Sequence, residues 1–481
     1  MVTPVSSSTA ASAPTDSHGH GVVRIASVAA LGGLLFGYDS AVINGAVSAI
    51  EQEFNTPPAE LGFAVASALL GAAAGAFLGG AISDKIGRIA VMKIAAVLFF
   101  VSAISCGLAP SLWVFIVGRI VGGFGVGVAS VIAPAYIAEI APARMRGRLG
   151  SLQQLAIVTG IFLSLLVDFL LAALAGGSSE MLWLGLEAWR WMFIMMFIPA
   201  VAYGVLAFTI PESPRYLVAN GRVAEATQVL SRVQGAAGAA ERVVLIQESL
   251  GREHKPSMAD VRKPGGGWFP IVWVGVALAV FQQFVGINVI FYYSNTLWQA
   301  VGFDENSSFV ITVLTSVTNI LTTLIAISAV DRAGRKPLLV IGSVGMTVAL
   351  AVMAFVFGTA PLVDGAPVLE GINGPIALAA ANIFVVAFGM SWGPVMWIML
   401  GEMFPNIMRG AALAIAGAAQ WTANWIVTVT FPILKDVSLG VAYGLYAGFA
   451  LLSLLFVLRF VRETKGVELE DMEGGIAPVG H

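Results

Sequence analysis

The stretch SDKIGR, residues 83–88, decides the fold because it returns in altered form as VDRAGRK at residues 330–336. Each copy follows an apolar run long enough to form a membrane-spanning helix. A second pair of segments agrees with the first: AEIAPARMRG (138–147) and GEMFPNIMRG (401–410) each place a glutamate seven residues before an arginine. Two matches at equivalent positions indicate that the chain is an internal duplication.

The apolar runs around these segments predict an integral membrane protein. Of the 481 residues, 58% are hydrophobic and 11% are charged, whereas about 25% are charged in a soluble domain. Twelve runs are long enough to cross roughly 30 Å of hydrocarbon as helices, near residues 24–49, 61–83, 90–109, 112–138, 149–174, 188–210, 269–297, 308–330, 337–358, 375–400, 410–432 and 440–461. The first run is not a cleaved signal peptide, because it is too long and no basic segment precedes it.

A hydrophilic stretch at residues 211–264 divides the runs into six and six. Parallel repeats of six spans are typical of one large transporter architecture. The predicted fold is therefore an all-α membrane protein with twelve transmembrane helices in two six-helix bundles. Short amphipathic helices are expected between the bundles, at 221–233 and 241–253. The expected segments are a disordered tail (1–22), a first bundle (23–211), a loop (212–268), a second bundle (269–462) and a C-terminal tail (463–481).

The distribution of basic residues predicts the orientation. With twelve spans, 22 of the 25 lysines and arginines fall on the side that carries both termini. The positive-inside rule therefore places both termini in the cytoplasm of a protein of the cell membrane. We expect the lipid bilayer to surround a monomer, and we expect no cofactor, no metal site and no nucleic-acid partner. The four histidines lie in the tails or the central loop, which argues against a membrane enzyme.

Two opposite charges interrupt the apolar runs at one depth. Asp39 lies fifteen residues, about 22 Å of helix, from the Arg24 end of its run, and Arg119 lies seven residues, about 10 Å, from the opposite end of its own. An ion pair inside a membrane is functional by default. Protonation of the carboxylate would break the pair and so couple proton binding to helix motion. The alternative is a permanent structural salt bridge. A further acid, Asp168, is expected to reach the outer headgroup region.

Uncharged polar residues form the predicted substrate site. They are Gln154 in the first half and Gln282, Gln283, Asn288, Tyr292 or Tyr293, Asn319, Trp397, Gln420 and Trp421 in the second. Amides offer donors and acceptors together and aromatic rings stack on sugar rings, so the set suits a neutral polyol. For any single amide, interhelical hydrogen bonding is the alternative.

A glycine-rich stretch, GRIVGGFGVGVAS (118–130), lies inside the fourth run. It lacks the strand and the Lys-Ser/Thr of a phosphate-binding loop, so close helix packing explains it better.

Six motifs in order identify the chain as resembling the sugar porter branch of the major facilitator superfamily. They are GGAISDKIGR (79–88), GRIVGG (118–123), PESPRYL (211–217), FQQFVGINVIFYYS (281–294), DRAGRKPL (331–338) and ETKGVELED (463–471). The chain is most similar to bacterial proton-coupled hexose and pentose permeases, particularly actinobacterial glucose permeases. The resemblance implies sugar contacts at Gln154, Gln282, Gln283, Asn288, Asn319, Trp397 and Gln420.

Charged residues at the helix ends are expected to form conformational latches, as the resemblance also implies. The set is Asp84, Arg88, Glu139, Arg146, Glu212, Arg215, Asp331, Arg335, Glu402 and Arg409. Ordinary helix capping by juxtamembrane charge is the alternative.

The expected function is import of a neutral monosaccharide, D-glucose, by proton symport with alternating access. The resemblance supports coupling at Asp39, because that position is acidic in proton symporters and often asparagine in facilitative carriers. Met196 stands where one relative has a second acid, so coupling rests on Asp39. Ile161 stands where some pentose carriers have glutamine, which favours a hexose. The alternatives are a facilitative uniporter, a symporter for xylose, galactose or myo-inositol, and a sugar sensor.

Overall fold

The computed structural model describes residues 17–142, 145–251, 257–263, 265–363 and 366–464. The expected disordered tail falls outside this range at residues 1–16, as does the C-terminal tail from residue 465 onward. Helix α1 begins at Ser17, earlier than the predicted span.

The first half consists of α1 (Ser17–Ala41), α2 (Ile43–Glu53), α3 (Pro58–Ile86), α4 (Arg88–Gly107), α5 (Leu112–Ile140), α6 (Arg146–Ala175), the antiparallel hairpin β1 (Met181–Trp183) and β2 (Leu186–Glu187), α7 (Ala188–Ile194) and α8 (Phe197–Leu206). The connecting segment contains α9 (Pro214–Ala219), α10 (Val223–Gln234) and α11 (Ala236–Gly251).

The second half consists of α12 (Pro270–Phe284), α13 (Ile287–Ala300), α14 (Glu305–Ala333), α15 (Arg335–Gly358), the antiparallel hairpin β3 (Leu362–Val363) and β4 (Ala366–Pro367), α16 (Asn373–Gly389), α17 (Trp392–Met403), α18 (Asn406–Val437) and α19 (Leu439–Phe460). We call the end of the bundle where α4 and α15 begin the basic end. The end that carries the two hairpins is the hairpin end.

The helices confirm the predicted membrane fold. Within the described residues, eleven stretches are long and apolar enough to cross a membrane. Helix α18, with 32 residues, is long enough to be the twelfth, but Gln420 and Asn424 near its centre lower its hydropathy. Large apolar side chains cover the outer surface, with Phe77 82% exposed and Phe208 73% exposed. In a bilayer these side chains face lipid rather than water.

Several spans are broken, and the breaks lie at the level of polar residues. The first span is divided between α1 and α2 at Val42 and the seventh between α12 and α13 at Gly286. Gly286 has a left-handed backbone with φ of 82°, which glycine adopts at no steric cost. A Cβ atom there would also lie 2.7 Å from the Tyr446 ring. The break turns Gln283 and Asn288 toward each other.

Close helix packing explains the glycine-rich stretch in α5, as predicted. A Cβ atom at Gly123 would collide with the carbonyl oxygen of Ala68 on α3, and one at Gly127 would collide with that of Ala72. The two glycines are four residues apart, so they lie on one face of α5. Small residues at this spacing let helix backbones approach closely in membranes.

We expect Gly123→Ala to destabilise the protein by about 1–3 kcal/mol, because the added methyl group meets backbone that has no room to move. The measurement is the thermal unfolding midpoint of the purified protein in detergent. Gly80→Ala on α3 is the matched control, since a Cβ atom there meets nothing within 4 Å. Equal midpoints for the two variants would contradict the packing explanation.

Candidate functional site

A cavity of about 140 Å³ lies between the two halves. Its walls come from α1, α6, the α12–α13 break and α18. They are formed by Phe36, Gly37, Ser40, Ala41, Ile157, Ile161, Gln283, Asn288, Phe291, Tyr292, Gln420, Trp421 and Asn424. No acidic or basic side chain is among these residues, so the cavity suits a neutral ligand with hydroxyl groups.

Amide side chains form a hydrogen-bonded network along one wall. Asn288 Nδ2 donates to Gln283 Oε1 at 2.6 Å, and Gln283 Nε2 donates to Gln282 Oε1 at 3.1 Å. Gln420 Nε2 approaches the same Gln282 oxygen at 3.5 Å. Gln282 in turn donates to the backbone carbonyl of Trp392 at 3.1 Å. Gln282 therefore lies behind the wall as a support, while the other three amides line the cavity.

The network leaves hydrogen-bonding capacity for a ligand. Gln420 Oε1 is buried, and in the described part of the chain it has no hydrogen-bond partner. A buried polar atom of this kind costs roughly 1–3 kcal/mol until it is satisfied. A ligand hydroxyl that donates to this oxygen would remove that cost.

Four predicted site residues lie elsewhere. Tyr293 is 1% exposed and donates its hydroxyl to the Thr428 carbonyl at 2.9 Å, so Tyr292 is the tyrosine of the cavity. Gln154 is half-buried and lies one turn nearer the basic end than Ile157. Asn319 is buried on α14, and Trp397 on α17 is 43% exposed. In this arrangement these four side chains are not part of the cavity wall.

The cavity also contains residues that the sequence analysis missed. Asn424 lies one helical turn after Gln420 on α18, and that spacing was a usable signal. Phe36 and Ser40 have the same spacing on α1 and face the cavity together. Nothing in an apolar run distinguishes such a phenylalanine from a lipid-facing one.

The predicted ion pair is formed at the break in the first span. Arg119 Nη1 lies 3.3 Å from Asp39 Oδ2, and both side chains are at most 2% exposed. The same nitrogen donates to the backbone carbonyl of Asp39 at 2.8 Å. Arg119 therefore keeps a hydrogen bond even when the carboxylate is neutralised.

The ion pair borders the polar cavity. It lines a second, much smaller cavity of about 10 Å³, and Ser40, Tyr292 and Trp421 line both cavities. A ligand that moves Tyr292 or Trp421 would therefore change the surroundings of Asp39. This shared wall is a physical route for coupling between the two sites.

The two halves are joined at the hairpin end. Asn44 on α2 donates to the Phe291 carbonyl at 2.9 Å and accepts from the Asn295 backbone N–H at 3.0 Å. Ser48 lies 3.4 Å from Thr296 between their hydroxyl oxygens. At the same end, the Ser178 N–H donates to Glu305 Oε1 at 3.0 Å. These bonds close the cavity toward the hairpin end.

Charged residues at the basic end make two matching clusters. Arg88 donates from Nε and Nη2 to Glu139 at 3.1 and 2.8 Å, and Arg335 donates likewise to Glu402 at 3.0 and 2.8 Å. Asp84 lies 3.0 Å from Arg88. Each of these pairs joins neighbouring helices of one half, as the motif positions predicted. The duplicated motifs therefore brace each bundle separately in this arrangement, and their role as conformational latches stays a prediction.

A second glutamate completes each cluster. Glu212 accepts from the backbone N–H groups of Arg88 and Ile89 at the start of α4, at 3.0 and 3.2 Å. Glu463 accepts from those of Arg335 and Lys336 at the start of α15, at 2.9 and 3.0 Å. Carboxylates stabilise helix N-termini because the first N–H groups lack helical partners. The prediction omitted Glu463, although it begins the quoted ETKG motif.

The other predicted latch residues are placed differently. Arg409 donates to the Phe404 carbonyl at 3.3 and 3.2 Å. Arg215 is half-buried on α9. The side chains of Arg146 and Asp331 lie outside the described part of the structure.

A comparison with family models identifies the chain. The model described as "Sugar (and other) transporter" matches residues 25–475. The chain belongs to the sugar transporter family. This membership confirms the predicted sugar porter resemblance and the prediction that the chain is a transporter and not an enzyme. Its membrane-spanning helices make it a multi-pass membrane protein.

Individual relatives of this sugar transporter agree along nearly the whole chain. It is 55% identical to the glucose transport protein of Synechocystis sp., over 94% of this chain and 97% of the relative. It is 40% identical to the D-xylose-proton symporter of Escherichia coli K12, over 94% and 95% of the two chains. Among solved structures, the inward open conformation of the xylose transporter XylE from E. coli has a TM-score of 0.81 and 39% identity. That match covers 94% of this chain and 99% of XylE.

Proposed function

We propose that this sugar transporter imports a neutral monosaccharide, D-glucose, together with a proton by alternating access. The observation that carries the proposal is an uncharged, amide-lined cavity that shares a wall with a buried ion pair. The similarity to a glucose transport protein supports glucose as the sugar, and the similarity to a proton symporter supports the coupling.

The amides bind the sugar. Gln283, Asn288 and Gln420 each offer a donor and an acceptor, as ring hydroxyls require. Tyr292 and Trp421 offer aromatic faces for the C–H side of the ring. Ile157 and Ile161 make one corner apolar, which supports a hexose over a pentose. Gln154, Asn319 and Trp397 join the site only when the halves move relative to each other.

The ion pair binds the proton. Protonation of Asp39 removes its attraction to Arg119, while Arg119 retains the backbone carbonyl of residue 39. Helix α1 then separates from α5 more easily. Since a ligand shifts an equilibrium only through its differential affinity for the two states, the proton favours the state in which this pair is apart.

The basic end faces the cytoplasm in this proposal, in a cell membrane, and the functional unit is a monomer. Most lysines and arginines lie on the side of the basic end, in agreement with the positive-inside rule. The hairpin end then faces outward, and its closure corresponds to an inward-facing carrier. The charged clusters hold the helices of each bundle together at the basic end while the bundles rock.

Uptake of labelled sugars into liposomes tests the proposal. We expect D-glucose to accumulate when a proton gradient is directed inward, by about tenfold for each pH unit at one proton per sugar. Xylose, galactose and myo-inositol in the same panel establish the specificity, and a protonophore is the control. Sugar uptake that does not depend on the proton gradient would identify a facilitative uniporter. Binding of glucose without uptake would identify a sensor.

A further inference from the structure

A second carboxyl group, Asp168 on α6, is buried in the first half. Its side chain is 0% exposed, and neither carboxyl oxygen accepts a well-formed hydrogen bond among the residues that the structure describes. The backbone N–H of Gly45 on α2 approaches the carboxyl group without reaching hydrogen-bond geometry. Neighbouring helices cover the side chain, which the expected position in the outer headgroup region did not anticipate. Asp168 lies seven residues, about 10 Å, from the hairpin end of α6, but about 33 Å from its start at Arg146.

Helix α2 packs directly against this carboxyl group. A Cβ atom at Gly45 would lie 2.7 Å from Asp168 Cβ and 2.9 Å from its Oδ2. The adjacent residue, Asn44, makes the two hydrogen bonds to α13 that close the hairpin end. The segment that closes the cavity is therefore the one that covers Asp168.

No cation neutralises Asp168 among the described groups that face it. The titratable and charged groups on the hairpin-side parts of the packed elements are Tyr38 and Asp39 on α1, Glu51 and Glu53 on α2, Arg119 on α5, Arg190 on α7 and Glu305 on α14. Arg119 is paired with Asp39, and Arg190 is paired with Glu53 and Glu187. Tyr38 donates its hydroxyl to the Met192 carbonyl at 3.4 Å. The remaining charged residues of these helices, Arg24, Glu139, Asp331 and Arg332, lie toward the basic end.

An ionised carboxylate in this position would be costly. Burial of a charge that has no counter-ion and no well-formed hydrogen bond is so unfavourable that the group binds a proton instead. Closure of α2 over Asp168 therefore requires the acid form. When α2 moves away, water reaches the carboxyl group and the proton leaves.

We propose that Asp168 is a second proton-binding site, which binds a proton from the hairpin side when α2 closes and returns it to the same side when α2 opens. The short path to the hairpin end and the long path to the basic end give this direction. The proton is gained and lost once per cycle on one side, so it gates closure and adds nothing to the number of protons transported. The inference rests on the proposed function, since it requires alternating access.

The test is sugar exchange in liposomes at equal pH on both sides, in the Asp39→Asn background, so that the coupling acid does not contribute. We expect exchange to fall by up to about tenfold per pH unit at alkaline pH, because Asp168 loses its proton. Adding Asp168→Asn should flatten this fall to less than about twofold. Asp436→Asn is the matched control, because that acid lies at the hairpin end with its side chain 50% exposed. An equally steep fall with Asp168→Asn would overturn the proposal.

A second arm separates gating from transport. In the single variant Asp168→Asn, we expect gradient-driven accumulation with the wild-type number of protons per sugar. Loss of accumulation would make Asp168 a transported-proton site and overturn the gating role. Failure of wild-type uptake to respond to a proton gradient would instead overturn the proposed function.

Thermal unfolding supplies a readout that does not depend on transport. A folded state that binds more protons than the unfolded state loses stability as pH rises. The unfolding midpoint of the wild type should therefore fall more steeply with rising pH than that of Asp168→Asn. Asp168→Ser, which also lacks the acid, replaces the asparagine variant if that variant does not fold. Parallel curves for wild type and variant would contradict protonation of Asp168.

Discussion

Asp39→Asn should abolish the accumulation of sugar against a gradient while sugar exchange across the membrane continues. Asparagine has nearly the same shape but binds no proton. Proton movement down its gradient can therefore no longer drive sugar transport. Arg119 keeps its 2.8 Å hydrogen bond to the backbone carbonyl of residue 39, so the helices still pack. In liposomes with a gradient of one pH unit, we expect the accumulation ratio to fall from about ten toward one.

The same assay distinguishes this role from a permanent salt bridge. If the pair only supports the structure, the substitution should impair exchange and accumulation together and lower the unfolding midpoint. Normal accumulation by Asp39→Asn would contradict the coupling role outright. Asp436→Asn makes the same chemical change at an exposed site and should behave as the wild type.

Gln283→Ala should impair exchange and accumulation alike, by about ten- to a hundredfold at low sugar concentration. The amide accepts from Asn288 and donates to Gln282. Its removal leaves Asn288 without this acceptor, leaves Gln282 Oε1 with only the 3.5 Å contact from Gln420, and removes a sugar contact. Each buried polar group left unsatisfied costs roughly 1–3 kcal/mol. The measurement is initial exchange rate against sugar concentration.

Gln228→Ala is the matched control for the amide, because Gln228 is exposed on α10, far from the cavity. A loss of affinity with an unchanged unfolding midpoint supports a role in binding. Unaltered exchange by Gln283→Ala would show that the α12–α13 break does not contribute to sugar binding. A lowered midpoint with unaltered affinity would leave the network a purely structural role.

Helix breaks explain which site residues could be predicted. Successive side chains on a helix point about 100° apart, so Tyr292 and Tyr293 occupy different surroundings, and only one of them reaches the cavity. The helix break at Gly286 changes the direction in which Asn288 points relative to Gln283, so that the two side chains meet. A regular helix through both residues would place one of them on the wrong face. Residue chemistry therefore predicted the class of ligand better than it predicted the contacts.

For the charged motifs too, the sequence predicted the kind of interaction but not the partners. Their recurrence revealed the duplication, and their composition predicted ion pairs at the ends of helices. The partners depend on which helices are neighbours: Arg335 pairs with Glu402, while Arg409 donates to the Phe404 carbonyl. Glu463 is the counterpart of Glu212 because each carboxylate accepts from the first backbone N–H group of a helix that is distant in the chain.

The sequence by itself determined the membrane class, the twelve spans, the duplication and the depth match between Asp39 and Arg119. These features depend on local sequence alone. The free energy of transferring a helix into lipid is nearly the sum of the contributions of its residues, and the depth of a residue follows from the helical rise per residue. Only the tertiary structure decided which amides meet in the cavity, which charged residues pair at the basic end, and that α2 buries Asp168. Those outcomes depend on the rotation and spacing of neighbouring helices, which small residues and helix breaks set through contacts between segments distant in the chain.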